Sequence, residues 1–258
     1  MALGQKGTPM GTLRIADSVH SVDALVFDKD GTLFDFQTLW GGWADLLLRE
    51  VAARVDWAGD PGSLGAWIGW DAERHRHDPA GPLAAGSMAE VLAAVATGLY
   101  RSGVPWHQAK EAVAGARRAV DAGVDWPSAL RPVAGVVALL TDAVSAGVAV
   151  GVVTADDTAA ALMHLGVAGL AGMVGAVIGA DLVSAGKPDP EPVHAVCRAL
   201  RVSPERAALF GDTASDVRAG RRAGVTVVVG VAATAESAAL LTEADLVITD
   251  FSQVRLEP

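Results

Sequence analysis

Leu25-Val26-Phe27-Asp28-Lys29-Asp30-Gly31-Thr32-Leu33 is the stretch from which the fold of this chain can be read. Three apolar residues run into two aspartates one residue apart, and then into Gly-Thr. A short apolar run of this kind reads as a strand buried on both faces of a parallel sheet. Gly31 punctuates its end and permits a turn that other residues resist. A period of two predicts Asp28 and Asp30 on one side where the strand stops, with Lys29 turned away from both in a structural role. In an open α/β sheet the carboxyl ends of the strands form the crevice where ligands bind. Two carboxylates crowded there repel each other unless a proton or cation is shared between them. A hard divalent cation such as Mg2+ answers that need, because it prefers oxygen ligands. A strand followed by an ordinary Asp-Gly turn is the plain alternative, so the reading depends on partners from elsewhere in the chain.

Those partners lie beyond Arg131-Pro132, where helices and apolar strands alternate. The pattern predicts a helix over 136–146 closed by Gly147, a strand over 148–153 ending at Thr154, and a helix over 157–165 stopped by Gly166. A strand over 173–178, a helix over 191–200 and a strand over 207–210 ending at Gly211-Asp212 follow. The remainder reads as a helix to Ala223, then strands over 225–229 and 246–248 with a helix over 235–243 between them. Such alternation predicts right-handed βαβ units and an α/β fold with a mostly parallel sheet, to which the first strand also belongs.

Between the two parts the character changes. Trp43, Leu47, Val51 and Val55 recur at four-residue spacing, as on one stripe of an amphipathic helix. Met88, Val91, Leu92, Val95 and Leu99 mark a second helix, and Ala109, Ala112, Val113, Ala116 and Val120 a third. Six of the seven tryptophans fall between Trp40 and Trp106, which argues for an insert with a core of its own. The expected organisation is a loose segment over 1–22 with Met10 as an alternative start, a sheet domain over 23–36 and 130–258, and a helical insert over 37–129.

The bulk properties exclude several function classes. A formal charge of −10 argues against nonspecific nucleic-acid binding, which requires a basic surface. The single cysteine, Cys197, rules out an intrachain disulfide or a cysteine zinc cluster, and its apolar neighbours point to an inert buried thiol. No uninterrupted apolar run is long enough to span a membrane, and no secretory signal is visible, so a cytoplasmic protein is expected.

Three later segments carry chemistry. Thr154 offers a hydroxyl at a strand end beside the free amides of the next helix, as a phosphate-binding turn requires; a helix cap is its simpler reading. Lys187, held in Gly186-Lys187-Pro188, places an ammonium on a stiff segment able to neutralise a phosphate and a crowded carboxylate. Asp212 ends a strand and Asp216 follows one helical turn later, so the pair can hold a metal directly and through its water shell. Asp28-x-Asp30-Gly-Thr, Thr154, Lys187 and Asp212-x-x-x-Asp216, in this order, resemble the haloacid dehalogenase-like hydrolase superfamily, and within it the phosphatase branch.

The resemblance implies a Rossmann-like core with an α-helical cap at the family's C1 position, of the phosphoglycolate phosphatase type. It implies that Asp28 is the nucleophile and that Asp30 is the general acid and base. Thr154, the backbone of Ala155 and Lys187 would hold phosphoryl oxygens. Mg2+ would be ligated by Asp28, the backbone carbonyl of Asp30 and Asp212, with Asp216 acting through metal-bound water. Asp30 separates a phosphatase from dehalogenases, which lack the second aspartate; Ala155 departs from the asparagine that many relatives carry. The implied activity is Mg2+-dependent hydrolysis of a small phosphorylated metabolite, phosphoglycolate-like or sugar-phosphate-like, by a monomer or homodimer. A phosphomutase using the same aspartyl-phosphate is the alternative, and a noncatalytic protein on the same fold a more distant one. In the cap, Arg74-His75-Arg76-His77 reads as a substrate contact or, more simply, as a solvated helix end. Phe34, Gln37, Trp40 and Trp43 lie near enough in sequence to line the pocket, with Trp43 better placed in the helix core. His107, His164 and His194 read as surface or packing residues.

Overall fold

The computed structural model describes residues 11–55, 57 and 59–257. The described chain opens on a hairpin, β1 (Gly11–Ile15) and β2 (Ser18–Val22), in which Leu13, Ile15 and Val22 point inward and are buried. The final strand of the chain, Val254–Glu257, pairs antiparallel with β1 and closes a small three-stranded sheet. This corrects the expectation of loose chain up to Val22. The alternation of Leu13 and Ile15 with Thr12 and Arg14 buries one face of the strand, enough to order it once its partners arrive. Residues 1–10, Met10 among them, lie outside the described residues.

β3 (Ala24–Phe27) follows, buried at every position. A turn of π-helix over Gln37–Gly41 then leads into α1 (Gly42–Arg54), α2 (Pro61–Gly65), a two-stranded ribbon of β4 (Trp70–Asp71) and β5 (Arg76–His77), and α3 (Pro82–Ala85). The longer α4 (Met88–Arg101) and α5 (Trp106–Gly123) and the short α6 (Trp126–Ala129) complete the insert. α4 starts on a capping box, with Ser87 and Glu90 each satisfying the other's backbone amide. Trp43 and Trp70 are buried, and each indole N–H is satisfied: Trp43 donates to Asp121 at 2.7 Å and Trp70 to Asp45 at 2.8 Å. The buried apolar residues of these helices are continuous with the sheet core through Leu33, Phe34, Phe36, Leu39 and Trp40.

The second half alternates α7 (Val136–Ala146), β6 (Ala149–Val153), α8 (Thr158–Val167), β7 (Ala176–Ile178), α9 (Glu191–Leu200), β8 (Ala207–Gly211), α10 (Ala214–Ala223), β9 (Val227–Val231), α11 (Ala235–Ala238), β10 (Leu246–Ile248) and β11, the closing strand already described. α7 ends on Gly147 in the left-handed region (φ 73°), which a glycine enters without penalty. Some boundaries differ from expectation. α8 runs through Gly166 to Val167, since an interior glycine costs only about 1 kcal/mol and the buried Ala161 and Leu165 anchor the helix. α11 spans four residues rather than nine, because the stretch after Ala238 turns to deliver buried Leu241.

Six strands form one parallel sheet in the order β10-β9-β8-β3-β6-β7. The chain runs outward from β3 through β6 to β7, then crosses back to β8 and continues the other way to β10. Direction therefore reverses between β3 and β8, which opens a crevice at their carboxyl ends. The architecture is α/β and Rossmann-like. Below the crevice Phe27 and Phe210, on these two strands, stack at 4.9 Å, and Phe251 tilts against both at 5.9 and 5.5 Å. Cys197 is buried on α9, and burial pushes its thiol up to about 11. No helix among the described residues is long and apolar enough to cross a membrane.

Replacing Phe251 by Ala removes the third ring of this cluster and is expected to cost about 3–5 kcal/mol. Guanidinium unfolding checks this: the midpoint should fall with the slope unchanged.

Candidate active site

The sheet order brings the predicted stations together. β3 lies between β6 and β8, so Asp28, Thr154 and Asp212, each the first residue beyond its strand, meet at one edge. The backbone amide of Asp28 donates to the Phe210 carbonyl at 2.8 Å, which ties the first motif to β8. Gly31 has φ +86°, a conformation strained for any other residue, and a Cβ there would collide with the Asp212 carboxylate. Thr32 donates its hydroxyl to Asp212 Oδ1 at 3.0 Å. Gly-Thr therefore follows the aspartates because the turn must let Asp212 approach and then hold it.

Lys187 reaches in from the loop before α9. Its Nζ donates to Asp28 Oδ1 and, at 2.6 Å, to Asp216 Oδ1. The other oxygen of Asp216 accepts from the Thr213 amide at 3.0 Å and from its hydroxyl at 2.6 Å, closing the capping box of α10. Burial alone would lower the Lys187 ammonium, but Asp216 and Asp28 outweigh it and hold the group above its ordinary value. Burial lifts Asp28 to about 7, helped by Asp216 and Asp30 and opposed by Lys187. Asp212 is pushed well above the carboxylate range by burial and by the charges of Asp28 and Asp216.

Lys29 does not point away from the aspartates. β3 ends at Phe27, so strand alternation no longer applies, and the fully buried Lys29 side chain turns to donate to Asp30. Asp156 Oδ2 lies 3.4 Å from Lys29 Nζ, His164 Nδ1 lies 3.1 Å away, and the Trp40 ring centroid 5.6 Å away. Of the two readings open to it, surface or packing, His164 takes the second and is a buried partner of this lysine. Burial and the adjacent ammonium push its imidazole down to about 4, so it accepts the bond in its neutral form. Asp30 is raised by burial while Lys29 holds it down. His107 is exposed, and His194 rests half-buried against the Ala223 carbonyl at 3.3 Å.

A cavity of about 420 Å³ opens above these groups. Asp28, Asp30, Thr154, Ala155, Lys187 and Asp216 line its floor, and Asp212 flanks the neighbouring cleft. Its roof comes from Phe36 and from the insert: Trp40 and the start of α4 with Ser87, Met88, Glu90 and Val91. Phe34 and Trp43 are buried in the core instead, and Gln37 faces the neighbouring cleft. Nothing in the local sequence marks Asp156, His164, Ser87 and Glu90 as site residues. Ser87-x-x-Glu90 announces a helix start, but which surface that start would face is not local information.

The Arg/His cluster forms the β4–β5 ribbon rather than a helix end, and it does not line this cavity. Arg74 pairs with Asp71 at 2.8 Å, and His75 lies 3.5 Å from Asp45. Arg76 crosses to Glu236 at 2.6 Å, and the His77 ring packs on Phe36 at 4.1 Å.

The sequence profile of the haloacid dehalogenase-like hydrolases matches residues 22–224. The chain belongs to that family. Among this hydrolase's relatives, the validoxylamine A 7'-phosphate phosphatase of Streptomyces hygroscopicus subsp. limoneus is 31% identical over 231 residues, covering 89% of this chain and 94% of that one. A phosphoglycolate phosphatase of Caulobacter vibrioides is 39% identical over 124 residues, 48% of this chain and 52% of its own. In fold, the hydrolase is similar to β-phosphoglucomutase from Clostridium difficile (TM-score 0.62, 20% identity, covering 90% of this chain and 92% of that one). It is likewise similar to CbbY from Rhodobacter sphaeroides in complex with phosphate (TM-score 0.60, 20% identity, 90% and 96%).

Members of the family use a divalent metal, and the donor set of this hydrolase fits one. Oxygens of Asp28, Asp212 and Asp216 lie within 4.8 Å of one another. The repulsion that raises Asp28 and Asp212 is what a hard cation relieves. The glycine turn at Gly31 brings Asp212 close without a side chain in between.

Lys29→Met leaves Asp30 and Asp156 buried without their cation, and is expected to destabilise the protein by about 3–5 kcal/mol. Urea unfolding of the purified variant measures this; adding Asp156→Asn should recover part of the loss. A change under about 1 kcal/mol would place the pair among those of no stabilising consequence.

Proposed function

We propose that this chain is a Mg2+-dependent phosphomonoesterase that works through an aspartyl-phosphate on Asp28. The observation carrying this reading is the placement of Asp28 at the topological switch point, against the Lys187 ammonium and within reach of Asp212 and Asp216. Asp28, the backbone carbonyl of Asp30 and Asp212 would hold the metal ion, which when bound supplies positive charge facing the phosphoryl oxygens. Its curated relatives bear the names of phosphatases, which supports a phosphate ester as substrate.

The residues divide the work as phosphoryl transfer requires. A carboxylate oxygen of Asp28 forms a bond to phosphorus as the ester P–O bond breaks. Asp30, raised by burial and so able to carry a proton, gives it to the departing alkoxide. It then takes a proton from the water that attacks phosphorus and frees Asp28. Thr154, the Ala155 amide and Lys187 hold the transferring oxygens, and Asp216 orients Lys187. Residues 37–129 act as a cap over this core, with Trp40 and α4, beside Phe36 of the core, keeping bulk water from the intermediate. The substrate is a small phosphorylated metabolite.

Asp28→Asn is expected to reduce release of inorganic phosphate from p-nitrophenyl phosphate by at least about 10³-fold. Chelation with EDTA should silence the native enzyme, and Mg2+ should restore it. Undiminished turnover in the variant would remove Asp28 as nucleophile, and turnover indifferent to EDTA would remove the metal.

A further inference from the structure

We infer that the cavity selects phosphomonoesters whose leaving group is a hydroxyl- or amine-bearing body without a second anionic group, and that Glu90 is the residue that turns such anions away. This rests on the phosphatase reading above and narrows its substrate class.

The charge around the cavity carries the inference. Asp28, Asp30, Asp156, Asp216 and Glu90 line it, and among the described residues Lys187 is the single cation doing so. That ammonium is already divided between Asp28 and Asp216. The buried Lys29, behind the wall, is held by Asp30 and Asp156. A bound divalent ion adds two positive charges, and the phosphate of the ester brings about two negative ones to meet them. No positive charge remains in this lining for a carboxylate or second phosphate at the far end of the substrate.

The roof offers such an anion nothing else. The first turn of α4 lines the roof of the cavity, and its capping box is closed. Glu90 Oε2 accepts from the Ser87 amide at 2.7 Å and from the Ser87 hydroxyl at 2.9 Å, while Ser87 Oγ accepts from the Glu90 amide at 3.3 Å. Glu90 also sets its own negative charge against the helix dipole. The arginines of the insert's ribbon do not make good the deficit, since Arg74 is paired with Asp71 and Arg76 with Glu236 beside other clefts. A like charge placed opposite Glu90 is therefore disfavoured, which is how surfaces reject wrong ligands.

What the roof does offer is an apolar face edged with polar atoms. Trp40, Met88 and Val91 are buried or nearly so, and beside them stand the Ser87 hydroxyl and the Glu90 carboxylate. A polyol ring presents the matching surface, C–H groups on its face and hydroxyls or an ammonium on its rim. At about 420 Å³ the cavity is of the size that encloses a ligand of that scale.

Phosphate release by the full chain with Mg2+ tests the inference. The ring esters are glucose 6-phosphate and glucosamine 6-phosphate, the carboxylate esters are 2-phosphoglycolate and 3-phosphoglycerate, and p-nitrophenyl phosphate reports the chemistry alone. The ring esters should exceed the carboxylate esters in kcat/KM by about tenfold or more. Glu90→Gln keeps the capping box, because its amide oxygen still accepts from Ser87. It should narrow the ratio, chiefly by lowering KM for the carboxylate esters, and Glu90→Arg should narrow it further. Turnover of p-nitrophenyl phosphate with carboxylate esters equal to or better than ring esters overturns this inference while leaving the phosphatase standing. A ratio unmoved by Glu90→Gln removes Glu90. Loss of all turnover, p-nitrophenyl phosphate included, overturns both.

Discussion

The ammonium of Lys187 meets the carboxylates of Asp28 and Asp216 at the mouth of the parallel sheet, and the rest of the site is arranged around that contact. Three strand ends converge there, and with Asp216 they bring Asp28 and Asp212 into one space. Burial and mutual repulsion raise Asp28 and Asp212, so the cluster is under electrostatic tension that Lys187 relieves only in part. That residual tension is what a hard divalent cation relieves.

A second buried ion pair stands beside the first and differs in purpose. Lys29 is enclosed by Asp30, Asp156, neutral His164 and the Trp40 ring. Trp40 belongs to the turn that opens the insert and also roofs the cavity, so the contact that sets the environment of Asp30 is shared with the element that covers the cavity. The cavity's own lining is acidic on both sides, with Asp28, Asp30, Asp156 and Asp216 below and Glu90 above.

Much of this was legible from local pattern. The βαβ alternation, the helix closed by Gly147, the helix over Glu191–Leu200 and the three apolar stripes of the insert follow from periodicity and punctuation, which depend on neighbours within a few residues. The hairpin of β1 and β2 is not legible locally although Thr12-Leu13-Arg14-Ile15 alternates, because its stability comes from pairing with the distant Val254–Glu257. Lys29 departs from period-two geometry because the strand already stops at Phe27.

The amino-acid sequence by itself determined the strand-end carboxylates, the glycine that lets them approach, the lysine that offsets them and the alternation that builds a parallel sheet. These are properties of residue type and spacing, carried by single segments of chain. Tertiary structure alone decided that Lys29 joins Asp30 to Asp156 and His164, that the Arg74–His77 ribbon turns aside, and that Ser87 and Glu90 line the cavity over the strand-end carboxylates. Each of these depends on which surfaces of distant elements are pressed together when apolar area is buried. A side chain's neighbours across such a contact are set by packing of the whole molecule, not by the residues beside it in the chain.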